Sequence, residues 1–409
     1  MVGDIGPTGP TGGNPFENFG GFLADLGRML QAQGPLNWDI ARQFAHQLAT
    51  GGVAEANPDP IERIRLEELA RVAEMRVADA TGLATSTGGR PVAIVSVSGA
   101  EWSRRALDAY RPLFEKLSAS LSAGWADGGA GGPEGTGTGP DGPAGDPMGA
   151  MFGGLIAMMG PAMLGVQAGS MVGHLASRAF GQYDLPLPRP PSHELAVVGA
   201  HLTAFAEEWS LPADDLRLSV CLSELTTHAV LGVPHVHRRL QGLVESYLGA
   251  FRPDPTALED KLGGLDLNDL TALPEAFNDP EVILGAITSP EQRELQPRLH
   301  ALLAVVGGYV DHVVDEIGSR LLGSYGMVTE ALRRRRVEAT EADHLVAHLF
   351  GLERGREQYE RGEAFIAGVV ERAGAEALPR LWSEERMLPT PAEVDAPGLW
   401  LARIELPAD

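Results

Sequence analysis

Residues 216–240 read LRLSVCLSELTTHAVLGVPHVHRRL, a stretch of helical spacing that Gly232 breaks just ahead of Pro234. The spacing predicts one helix over 214–231 and a second over 235–251. The first holds the residues with chemistry. Ser223 precedes Glu224, and Thr227 stands three residues after it. A helical zinc-hydrolase site needs imidazoles at those two flanking positions. At i and i+4 both rings share a helix face and reach one ion, while the glutamate between them polarises a metal-bound water. Neither position carries an imidazole here. His228 comes one residue late, about 100° around the helix from the Ser223/Thr227 face. Cys221, Glu224 and His228 (i, i+3, i+7) share a face instead, and all three are metal-ligating residue types. The plainer reading of Glu224 and His228 is a buried hydrogen-bonded pair.

Outward from this helix the chain is helix after helix. Helical spacing recurs at Phe19–Leu30, from Asn37 through Leu48, over 58–80, 101–122, 194–209, 279–287, 291–322, 327–336, 341–349 and 357–373. In 58–80 the expected buried face is Ile61, Ile64, Leu66, Leu69, Val72 and Met75. The segment 90–98 (RPVAIVSVS) is the strand candidate, and 397–404 is expected to close as an extended strand. The fold class is therefore mainly α with a few short strands. Residues 1–16 read as a disordered Gly/Pro tail, 17–122 as a helical region with one strand, and 123–147 as a low-complexity linker. Residues 148–409 form the helical core.

That core begins with 148–181, rich in Met and Gly. Gly160-Pro161 is expected to split this stretch into a buried two-helix hairpin rather than a membrane span, because its aliphatic content is low. Gly165, Gly169 and Gly173 recur at the four-residue spacing that close helix packing uses.

Charge excludes some classes. Lys+Arg number 32 against 55 Asp+Glu, a formal net charge of −23. Neutralising phosphates needs a basic surface, so nucleic acid and anionic lipid are poor partners. Cys221 is the one cysteine, so there is no internal disulfide framework and a cytoplasmic, reducing location fits. No phosphate-cradling loop and no G-x-S-x-G elbow is present.

The run CLSELTTHAVLGVPHV at 221–236 resembles the HExxH helix of a zincin-like family abundant in actinobacteria. Its members are labelled zinc-dependent metalloproteases or hydrolases, and one branch is associated with deazaflavin-coenzyme biosynthesis. The resemblance extends to Gly34-Pro35-Leu36-Asn37-Trp38-Asp39, Glu101-Trp102, the Met/Gly stretch, AFAEEW at 204–209 and GYVDHVVD at 308–315. Arg333 to Arg336 and LPTP at 388–391 complete it. Aligned without gaps, the family's two histidines fall on Ser223 and Thr227, and only its glutamate survives, as Glu224. An acidic ligand of one branch falls on Gly307, with Tyr309 at the neighbouring histidine.

The resemblance thus implies a zincin-like fold with a degenerate zinc motif. Its expected role is that of a weakly active or noncatalytic relative that binds a peptide or protein partner. The alternative is an active metal-dependent hydrolase with Glu224 as general base and a rebuilt zinc site drawn from His228, His312, Cys221 and His235. His237 is a further ligand option. Of the other polar clusters, Asp311, His312, Asp315 and Glu316 read as a solvated helix face. Arg333 to Arg336 read as a solvated helix C-terminus. His344 and His348 have two-histidine spacing but no glutamate between them.

Overall fold

The computed structural model describes residues 36–86, 91–130, 147–252, 289–338, 346, 349–352 and 356–406. The expected tail 1–16, the Phe19–Leu30 and 279–287 helices, and most of 341–349 with His344 and His348 lie outside these residues. So does most of the 123–147 linker.

Helix α1 (Trp38–Thr50) starts where the Asn37 side chain accepts the Ile40 N–H at 3.1 Å, satisfying one of the free donors of the first turn. It stops at Gly51, whose φ of 59° is costly for residues with a Cβ. Helix α2 (Pro60–Thr81) is capped in the same way by Asp59 and ends at Gly82. Strand β1 (Ala93–Ser96) leads into α3 (Gly99–Ala130) and then α4 (Pro147–Ala176). A short 3-10 turn, Gln182–Asp184, precedes strand β2 (Glu194–Val197) and helix α5 (Gly199–Glu208). The central α6 (Ala213–Leu231) is followed by α7 (Pro234–Gly249), α8 (Pro290–Leu321) and α9 (Tyr325–Val337). The chain finishes with α10 (Arg356–Ala373), two 3-10 segments, α11 (Pro391–Asp395) and α12 (Pro397–Glu405).

The class is mainly α, as the periodicity implies. β1 and β2 form a two-stranded parallel sheet with Ala93 opposite Glu194 and Ser96 opposite Val197. Helix α6 packs between α2 and α8, and α8 crosses α10. At that second crossing a Cβ on Gly308 would run into the Gly362 backbone, so the two helices approach as closely as glycine permits.

Five expectations need correction. The 148–181 stretch is one helix rather than a hairpin. Proline removes a single rung of the helical ladder, and the Pro161 carbonyl also accepts the Asn37 N–H at 2.9 Å. Gly165 then lies against the capping residue Asn37, and Gly169 and Gly173 against Ala41 and Ala45 of α1, which is the close packing their spacing predicts. The 123–147 linker begins later than expected, because α3 continues to Ala130.

Residues 194–197 are strand rather than helix. Leu195, Ala196 and Val197 are buried together, as suits a strand covered on both faces. The tail 397–404 is helical rather than extended, and Trp400 and Ile404 are buried one turn apart. Finally, α2 buries Leu66, Ala70, Ala73 and Val77, while Ile61, Ile64, Val72 and Met75 are exposed. Small alanines let α2 lie close to its neighbours, which the bulkier stripe would prevent.

Candidate functional site

Helix α6 is buried over most of its circumference, so even its polar residues are drawn inside. Glu224 is only 5% exposed. Its carboxylate accepts the Tyr183 backbone N–H at 3.0 and 3.2 Å, and it lies so close to Gly181 that no Cβ fits there. Burial is the main force on its ionisation, with the Asp184 charge second. Backbone donors from Tyr183 and Gln182 pull the other way, and the balance holds Glu224 up at about 8. At neutral pH this carboxyl keeps its proton.

The turn that meets Glu224 is held in place from several sides. The Trp102 indole donates to the Gly181 carbonyl at 2.9 Å, and Gly181 bridges to Val197 of β2. Asp184 accepts the Phe180 N–H at 2.8 Å and an Arg335 N–H at 3.1 Å. Tyr183 thus meets two residues of α6, Glu224 through its backbone and His228 through its hydroxyl, 2.9 Å from Nδ1. Glu224 and His228 are therefore joined through Tyr183 rather than bonded to each other. Burial lowers the basicity of His228, against a hydrogen bond to the Thr85 backbone. A neutral ring can accept the tyrosine hydroxyl at Nδ1.

Beside Glu224 lies a cavity of about 170 Å³ lined by α6, α8, α9 and α10. Its wall includes Ser223, Glu224 and Thr227, and from α8 it includes His300, Gly307 and Asp311. Tyr183, Asp184, Arg335, Arg336, Gln358 and Tyr359 complete the polar lining. Arg336 donates to both Asp311 oxygens at 2.6 and 2.8 Å and lies over the Tyr359 ring. Arg335 holds Asp184 and stacks on Phe180 at 3.7 Å from the ring centre. His300 Nε2 bonds the Gly351 carbonyl at 2.7 Å, which leaves Nδ1 to accept from Gln358 at 3.2 Å.

The profile of the zincin-like metallopeptidase family matches residues 36–401. The chain belongs to the zincin-like metallopeptidase family. A crystal structure of a putative hydrolase with a novel fold, from Chloroflexus aurantiacus, is similar in fold. It has a TM-score of 0.59 and 24% identity, covering 91% of this chain and all of that one. No curated protein matches the chain. Among the described residues, no helix is long and apolar enough to cross a membrane.

A zincin-like site implies zinc, and the donors on this cavity do not fit one. Ser223 and Thr227 offer hydroxyls, poor neutral ligands beside imidazole or thiolate. The Thr227 hydroxyl already donates to the Ser223 carbonyl at 2.8 Å. Gly307 has no side chain, and two guanidinium cations share the wall. Among the described residues no three His, Cys, Asp or Glu side chains converge as a metal group.

The proposed substitute ligands are scattered. Cys221 is fully buried, and burial pushes its thiol well above the usual range. His228 is engaged by Tyr183, while His235 at the start of α7 and His312 on α8 do not line the cavity. Tyr309 is turned into the core against Trp382, 5.1 Å between ring centres.

Two polar clusters differ from their sequence reading. Asp311 is a half-buried partner of Arg336 rather than part of a solvated face. Side-chain exposure falls from 54% and 61% at Arg333 and Arg334 to 17% and 30% at Arg335 and Arg336. The basic run is solvated at its first two residues only. Sequence reasoning passed over Tyr183, Asp184, His300, Gln358 and Tyr359, none of which sits in a motif. A buried-side partner for Arg335 and Arg336 was the one signal available, in the acidic residues Asp184 and Asp311.

Proposed function

We propose that the cavity beside Glu224 is the family's metal-centre position with its ligands replaced. The chain is then a noncatalytic zincin-like protein that holds a peptide or protein partner there. One observation carries this reading. Ser223, Thr227 and Gly307, three positions where the family resemblance puts ligands, come from two helices and line one cavity with Glu224. A side chain added at Gly307 would meet open space, as a deleted ligand's position should.

The test is to restore the ligands. Purified wild-type protein, expressed with added zinc, is expected to hold far less than one zinc per chain. The Ser223→His, Thr227→His, Gly307→Glu variant is expected to hold about one, since two imidazoles and a carboxylate make a complete catalytic-type ligand set. Stoichiometric zinc in the wild type would overturn the proposal in favour of a rebuilt hydrolase with Glu224 as base. Failure of the folded variant to take up zinc would remove the assignment of the cavity.

A further inference from the structure

The cavity's hydrogen-bonding capacity narrows what it holds. Arg335 uses Nη2 on Asp184 and on the Arg178 carbonyl, and Arg336 uses Nη1 on Asp311. Among the described residues the other guanidinium N–H groups, Nε and Nη1 of Arg335 and Nε and Nη2 of Arg336, have no acceptor. The two side chains are fixed by their carboxylate partners and by the aromatic rings under them, so their free edges are preorganised rather than floppy. Gln358 presents the opposite need. Its Nε2 is used on His300, while its Oε1 is buried without a partner among the described residues. A buried acceptor left unpaired is costly unless a ligand supplies the donor. Leu303, Val306 and Leu352 supply an apolar part of the same wall.

We infer that the ligand is the C-terminal residue of a peptide. Its carboxylate is taken by the free edges of Arg335 and Arg336, its amide N–H by Gln358 Oε1, and its apolar side chain by the aliphatic wall. This rests on the reading of the cavity as a ligand pocket and adds which end of the ligand enters. The planar guanidinium edge matches a carboxylate. Asp184 and Asp311 already balance the two arginine charges, so a monoanion suits the pocket better than a phosphate dianion. A cavity of about 170 Å³ is close in size to the ~150 Å³ apolar cavities that take benzene, which is room for one residue.

The experiment uses the full chain and calorimetry. The probes are pooled N-acetylated tripeptides ending in Ala, Val or Leu, as free acids and as C-terminal amides, with inorganic phosphate as competitor. The free acids are expected to bind about ten- to a hundredfold more tightly than the amides, the worth of losing a hydrogen-bonded charged group. Phosphate at equal concentration should not displace them. Equal affinity for acid and amide, or displacement by phosphate, would overturn C-terminal recognition and leave the ligand-pocket reading standing. Absence of binding by either pool would remove both.

Discussion

Replacing Glu224 by glutamine should stabilise the protein at alkaline pH, the opposite of what removing a useful charge would do. The folded carboxyl ionises at about 8, against an ordinary value of 4.5. Between those two pH values the unfolded chain has released this proton and the folded chain still holds it. The folded state therefore binds more protons, and stability falls as pH rises through the window. Below pH 4.5 the site costs nothing; above pH 8 the cost is complete. At 1.36 kcal/mol for each pH unit of the interval, the whole fall is about 4–5 kcal/mol, and about 3 of it has accrued by pH 7.

Glutamine keeps the shape, and its Oε1 can accept the Tyr183 N–H that now reaches the carboxyl at 3.0 Å. It has no proton to lose. Urea unfolding of both proteins, followed by tryptophan fluorescence at pH 5, 6.5 and 8, reads the difference directly. The Glu224→Gln protein should gain on the wild type by roughly 1 kcal/mol per pH unit in this range. A difference that does not change with pH would mean that Glu224 is ionised in the folded protein. The argument from desolvation would then be wrong.

Four further outcomes are expected. Gly307→Ala should raise stability by about 0.5–1 kcal/mol, because its Cβ enters open space and alanine favours helix. Gly308→Ala should lower it by about 2–3 kcal/mol through collision with the Gly362 backbone, and paired denaturation curves separate the two. Gly181→Ala should cost about 1–3 kcal/mol by driving into the Glu224 carboxyl, and a Glu224→Ala background should relieve much of that cost in a double-mutant cycle. The Cys221 thiol, buried and held well above the usual range, should resist a thiol-labelling disulfide reagent until urea unfolds the chain.

Local signals account for much of the helical framework. Asn37 and Asp59 accept the N–H groups that open α1 and α2, and Ser289 with Gln292 forms the capping box that opens α8. These are contacts within four residues, so the sequence states them outright. The four-residue glycine spacing of α4 likewise named its own packing surface. Where two answers depended on neighbours, the local signal misled. Pro161 signals a break, yet α4 runs through it because α1 lies along its glycines. In α2 the isoleucine stripe looks like the core face, but only alanines are small enough for the close approach the fold adopts.

The candidate site divides in the same way. Glu224 and the emptied positions Ser223 and Thr227 were legible, because one helix turn carries them at fixed spacing. Tertiary structure alone brought Gly307 to that helix. It also turned Arg335 and Arg336 inward while Arg333 and Arg334 face solvent, and it set Tyr183 between Glu224 and His228. Four consecutive arginines look alike in a sequence. Their different fates follow from a helical rotation of about 100° per residue and from Asp184 and Asp311, 151 and 25 residues away, which neutralise whichever two turn inward.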